Sequence, residues 1–246
     1  DMGQYEAAME TLEECCRLMS ATNTDRIVAH LLLSQIYREW GRSDSAAETL
    51  DKLEDHLAAV AQYVRRLPVL RQIAYRLALE SHALGDDARA LKSAEQAFEW
   101  CSELNDQPGK IKTAILLLRI TSASGASRAA QRQWYDTLEQ LAAATFFRLE
   151  RACAYWELGL SASGVIAHPE DRRRVGFEFL EKSYELYRSI PFVDSRRSAE
   201  TVKRSLDSRG EVSVRSPAAW KNNSSIDATF EALMEFAPRS TCLAPV

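Results

Sequence analysis

The feature that most restricts how this chain can fold is a recurring pairing of glycine with alanine. The stretches "GQYEAAMETLEECCRLM" (3–19), "EWGRSDSAAETLDKL" (39–53), "ALGDDARALKSAEQAF" (83–98) and "ASGASRAAQRQWYDTL" (123–138) share one register. Gly3, Gly41, Gly85 and Gly125 are each followed five residues later by Ala8, Ala46, Ala90 and Ala130. Leu12, Leu50, Ala94 and Trp134 come next in register, then Cys15, Leu53, Ala97 and Thr137. Glycine ends a helix by taking a left-handed backbone at no steric cost. Alanine early in the next helix lets two backbones approach, and residues four and seven positions on share its face. One such pair cannot bury its face alone, so a pattern recurring about every forty residues predicts stacked helical units.

The segment before each later glycine supplies a first helix. "TDRIVAHLLLSQIYREWG" (24–41) has apolar Val28, Leu31, Leu32, Ile36 and Trp40. "PVLRQIAYRLALESHALG" (68–85) opens with Pro68, and "KIKTAILLLRITSASG" (110–125) follows Pro108, both suited to a helix start. Asp86-Asp87 follows a helix-ending glycine and suits capping of the next helix. Period-two β-branched runs are missing, so the fold class is all-α. A fifth unit begins with "FFRLERACAYWELGLSASG" (146–164), with Gly159 or Gly164 as its register mark. "VIAHPEDRRR" (165–174) reads as a loop, or a loop and helix start. "VGFEFLEKSYELYRSI" (175–190) is the second helix, with Phe179, Leu180, Tyr184 and Tyr187 on its apolar side. "SRRSAETVKRSLDSRG" (195–210) closes the repeat domain, which spans residues 1–210. Residues 211–246 form a loop and an amphipathic tail helix, with disorder expected past Pro238. The tail stripe of Ile226, Phe230, Leu233 and Met234 is expected to dock on the last repeats, a partner or a second copy of the chain.

The glycine, aromatic and alanine positions of "GQYEAAME" resemble the second helix of the tetratricopeptide repeat, or TPR. The matching pattern runs over residues 1–140 and more loosely to 210. Its period exceeds the roughly 34 residues of a TPR, and the first-helix Trp and closing Pro are missing, so the chain is TPR-like. The resemblance implies a right-handed superhelix of antiparallel helix pairs, about ten helices in all. The segment from Leu149 to Gly210 is also similar to the last repeats of large signalling regulators that carry an ATPase module ahead of a helical array. No Walker-type motif occurs in this chain. The TPR resemblance implies a non-catalytic protein–protein interaction scaffold that holds a peptide or partner helix on its concave face. The alternative is a ligand-sensing arm of a signal-transduction or transcription regulator. Repeat register turns Gln35, Arg38, Tyr75, His82, Lys112 and Arg119 toward that face.

Composition narrows the partners. Of 246 residues, 46% are hydrophobic, ample for a core, and the net charge of −4 gives no basic field for nucleic acid. Acids gather near the start, where Glu6, Glu10, Glu13 and Glu14 either attract a basic partner or form a solvated helix face. Arg172, Arg173 and Arg174, with Arg196, Arg197, Lys203 and Arg204, sit among acids and read as a salt-bridged surface. Cys15, Cys16, Cys101, Cys153 and Cys242 form no paired motif, so the expected setting is intracellular, cytoplasm or nucleus. No apolar run is long enough to span a membrane. His30 is expected as a satisfied core group, His56 at the surface, and none of His30, His56, His82 and His168 has metal-ligand spacing. No phosphate loop, nucleophile elbow or converging acid pair appears, so no enzyme activity, cofactor or metal is expected. "GQYEAAMETLEECCRLM" reads as a second helix whose first helix lies upstream, so the chain is expected to be a piece of a longer protein.

Overall fold

The computed structural model describes residues 2–19, 24–63, 67–191 and 193–207. They form ten helices and no strands among the described residues. In chain order these are α1 (Met2–Leu18), α2 (Thr24–Glu39), α3 (Ser43–Tyr63), α4 (Leu67–Leu84), α5 (Asp87–Glu103), α6 (Gln107–Ala123), α7 (Arg128–Ala144), α8 (Arg148–Val165), α9 (Pro169–Ser189) and α10 (Val193–Asp207). Two compact units divide between Leu141 and Ala142.

In the first unit the glycine register produces the turns. Gly41, Gly85 and Gly125 have φ of 79°, 84° and 67°. At Gly41 the Arg42 amide donates to the Tyr37 carbonyl at 2.8 Å, and at Gly85 the Asp86 amide donates to Ser81 at 2.9 Å, the closing bonds of a Schellman motif. Asn105, at φ 55°, makes the same turn between α5 and α6, where the Asp106 amide donates to Cys101 at 2.9 Å. The next helix is then capped. Asp86 accepts from the Arg89 amide at 3.1 Å, Asp106 from Gly109 at 3.0 Å, and Ser127 from Ala130 at 3.2 Å. Gly3 differs, lying inside α1 rather than in a turn.

Neighbouring helices pair as the register requires: α1 on α2, α2 on α3, α4 on α5 and α5 on α6. Ala46, Leu50 and Leu53 of α3, and Ala90, Ala94 and Ala97 of α5, are all buried against these neighbours. In α7 the buried stripe falls one residue later than expected, on Tyr135 and Leu138, while Trp134 is half-buried edge-on against Phe98, ring centroids 5.3 Å apart. The first helices also run side by side, α2 along α4 and α4 along α6. Arg38 bridges α2 to Glu80 of α4 at 2.9 Å, and Lys92 of α5 reaches Glu54 of α3 at 2.5 Å. The predicted face of α2 is out of phase. Ile27, Ala29 and Leu33 are buried, Leu31, Ile36 and Trp40 half-buried, and Val28 and Leu32 exposed.

In the second unit α8 pairs with α9, and α9 with α10. Neither Gly159 nor Gly164 ends a helix, because α8 runs through both to Val165. Gly159 is instead a point of close approach. A Cβ there would stand 2.7 Å from Leu180 Cγ and 3.0 Å from the Gly176 carbonyl oxygen, so α9 can cross α8 only over glycine. Ser183 donates to the Ala152 carbonyl at 2.8 Å, and Cys153 Sγ lies 3.1 Å from Tyr187 Oη, fastening the same interface. α9 starts earlier than the sequence pattern suggested, with Pro169 in its first turn. Phe179, Leu180 and Tyr187 are buried and Tyr184 half-buried, as the apolar pattern required. The predicted tail helix, with Ile226, Phe230, Leu233 and Met234, lies outside the described residues.

Candidate functional site

The side-by-side packing of α2, α4 and α6 gives the first helices a shared outer face. On α2 that face carries Val28 and Leu32, 47% and 46% exposed, then Gln35, whose amide donates to Glu39 at 3.0 Å. Arg38 lies at its edge, held by Glu80. On α4 the open stripe is Gln72, Arg76, Leu79 and Ala83, of which Gln72 and Ala83 are exposed and Arg76 and Leu79 half-buried. Tyr75, expected on this face, is 3% exposed and belongs to the core, because α4 is packed by neighbours on most of its circumference. His82 sits at the end of α4, with Nδ1 2.9 Å from Asp87 Oδ1 of α5. On α6 almost every position is buried, and half-buried Lys112 and Arg119 mark its open stripe. Five of the six expected residues therefore retain exposed surface, and Arg76 is an addition. Arg76 stands where helical spacing continues the Gln72–Leu79 stripe, one position on from the residue the register selected.

A second feature lies between α1, α2 and α3, open to solvent on one side. A pocket of about 270 Å³ is lined by Glu13 and Cys16, by His30, Leu33 and Tyr37, and by side chains of α3. Tyr37 Oη donates to Glu13 at 2.5 Å, and burial, then this hydrogen bond, pushes the Tyr37 pKa up to about 12. Lys52 donates to Glu48 at 2.8 Å, and Thr49 to the Ser45 carbonyl at 2.7 Å. His30 is 6% exposed, yet neither ring nitrogen has a hydrogen-bond partner among the described residues. It is buried as expected but not satisfied. His56, expected at the surface, is half-buried with its ring centroid 5.4 Å from that of His30. Burial, reinforced by His56, Arg26 and Lys52, lowers the His30 pKa from 6.5 to about 4. His56 is lowered too, by burial and then Arg26. Local spacing could not reveal this cluster, since its members come from separate helices.

The remaining candidates behave structurally. Cys16, Cys101 and Cys153 are buried, Cys15 is half-buried, and burial raises the Cys16 and Cys101 thiols. Glu14 pairs with Arg17, while Glu6, Glu10 and Glu13 stay exposed on α1. Arg172 donates to the Ile166 and Ala167 carbonyls at the end of α8, and Arg174 pairs with Asp171 and Glu178. Among the described residues no three His, Cys, Asp or Glu side chains could hold a metal, and no helix is long and apolar enough to cross a membrane.

Comparison with known proteins agrees with this architecture. A tetratricopeptide-repeat family model matches residues 1–19, which hold α1. No curated protein matches the chain. Among solved structures, BtubC (BKLC) from P. vanneervenii aligns with a TM-score of 0.61 at 16% identity, covering 100% of this chain and 97% of that one. The nearly identical TPR-like repeats assigned to a kinesin light chain of Podospora anserina align with a TM-score of 0.58 at 21% identity, covering 75% of this chain and 87% of that one. Repeats of this kind generally serve as non-catalytic scaffolds for protein–protein interaction. With the glycine turns, the paired helices and these neighbours in agreement, the chain has a TPR-like helical-repeat fold.

Proposed function

We propose that the chain is a non-catalytic interaction module whose α2–α4–α6 face holds an acidic peptide or the acidic face of a partner helix. The observation that carries this reading is the pair Val28 and Leu32, two aliphatic side chains nearly half exposed one helical turn apart on a first helix. They supply apolar anchors of the kind a partner helix engages at i, i+4 spacing. Beside them the face carries Arg38, Arg76, Lys112 and Arg119 against Glu39 and Glu80, an excess of cations that favours carboxylates. The test is selection of helical peptides against the whole chain, followed by Leu32→Glu and Arg76→Glu. Each variant is expected to keep the helical circular dichroism and lower peptide affinity at least about tenfold, the loss of ~1.4 kcal/mol. Selected peptides that bind the double variant as tightly as the parent chain would overturn the assignment.

A further inference from the structure

We propose that the pocket between α1, α2 and α3 is a binding site for a single carboxylate with a short apolar body, and that His30 is protonated as the carboxylate binds. The first argument is unmet hydrogen-bonding capacity. Tyr37, Glu13, Lys52, Glu48 and Thr49 each already have a partner within the protein. His30 has none for either ring nitrogen, and the Nε of Arg26, one turn before it, also lacks one among the described residues while its Nη1 donates to the Met19 carbonyl at 3.2 Å. A buried nitrogen without a partner is costly, so one held at the wall of a pocket points to a group that enters and satisfies it.

The array itself shows that packing does not require the imidazole. Counted back from the turn glycine, the positions equivalent to His30 in the next two units are Ala74 and Ala114, both fully buried. The first unit therefore places a histidine where its neighbours are close-packed on alanine. The pocket that this ring borders, about 270 Å³, is roughly nine times the ~30 Å³ share of one liquid water and near the lower limit for small-molecule pockets.

Charge selects the ligand. The groups around His30 are Glu13 and Cys16 from α1, Arg26 and Tyr37 from α2, and Glu48, Lys52 and His56 from α3, with Asp55 acting on His56. Burial first, with His56, Arg26 and Lys52 behind it, keeps the ring neutral, and the unpartnered Nε–H of cationic Arg26 is a donor that a carboxylate oxygen satisfies and an ammonium group does not. Glu13 and Glu48 share the lining, which disfavours a dianion such as phosphate. Leu33 and Cys16 provide the contact for a few carbon atoms. A carboxylate against His30 favours the imidazolium, so one proton is taken up on binding and affinity rises as pH falls.

The test is titration of the whole chain, labelled with ¹⁵N, with butyrate and with butanamide while the histidine ring nitrogens are followed by NMR. Butyrate is expected to move the His30 signals saturably toward imidazolium, with a dissociation constant that falls by up to about tenfold per unit decrease in pH near neutrality. Butanamide is expected to do neither. In His30→Phe, read through His56, and in Arg26→Gln the butyrate response should be lost. A capped Ala-Glu-Ala peptide, compared with its Gln counterpart, separates the sources: a response to the Glu peptide assigns the site to a partner's side chain, and a response to butyrate alone assigns it to a free acid. No saturable response to either carboxylate, an equal response to butanamide, or an unchanged response in both variants would overturn the proposal.

Discussion

Acidification between pH 7 and pH 5 is expected to weaken the α1–α3 packing through His30. The folded chain holds this ring at a pKa of about 4, while the unfolded chain returns it to 6.5. Above pH 6.5 both states carry a neutral ring and the difference contributes nothing. As pH falls below 6.5 the unfolded state takes up the proton first, so stability drops until the folded ring also titrates near pH 4. At 1.36 kcal/mol per pKa unit the full loss is about 3 kcal/mol, of which about 2 kcal/mol falls between pH 7 and pH 5. The ring borders a pocket of about 270 Å³ that admits solvent, so the measured loss is expected to fall below this figure. His56 shifts in the same direction and adds to the slope. Most carboxylates stay ionised over that window, which separates the effect from general acid unfolding. Urea denaturation read by hydrogen exchange of the α2 and α3 amides measures the slope, and His30→Phe serves as the control. Equal slopes in the two proteins, or a His30 ring that titrates near pH 6.5 in the folded chain, would refute the reasoning.

Four substitutions at glycines and a helix cap accompany it. Gly85→Ala should lower stability by about 1 kcal/mol in chemical denaturation, because φ of 84° places a Cβ against the following carbonyl. Gly164→Ala, at an exposed position inside α8, should instead raise stability by up to about 1 kcal/mol, whereas Gly159→Ala should lower it because the new Cβ meets Leu180. Asp86→Ala removes the side chain that accepts from the Arg89 amide and pairs with Arg89 Nε at 3.2 Å, and should cost about 1 kcal/mol in the same assay.

The turns were legible because their physics is local. A left-handed glycine and a capping Asp directly after it constrain the backbone whatever the tertiary setting, so Gly41, Gly85, Gly125 and Asp86 could be read directly. Gly159 has the same identity and a different task, set by how closely α9 crosses α8, and nothing in its neighbours along the chain distinguishes the two. The phase of the first helices was lost for another reason. α2 has three consecutive leucines and α4 is buried at Leu70, Ile73, Ala74, Tyr75, Leu77, Ala78 and Ser81, so neither has one unambiguous apolar stripe. An error of one residue turns the inferred face by about 100°, enough to exchange half-buried Arg76 for buried Tyr75.

The histidine pocket was illegible for the opposite reason: its parts carry no pattern at all along the chain. Cys16, Arg26, His30, Lys52 and His56 belong to three helices, and only stacking brings them together. Yet the repeat that hides the cluster also offers a way to find it. In an array whose units share a register, a residue is informative when it departs from its equivalents, since those equivalents show what packing alone requires. Ala74 and Ala114 show that the position needs only a methyl group, so the imidazole of His30 is an addition to the packing rather than a consequence of it. The loss expected on acidification and the carboxylate response follow from that one departure, and they separate cleanly. If the ring is neutral and buried but binds nothing, the pH dependence remains and the butyrate response is absent. If the ring is solvated, both vanish together.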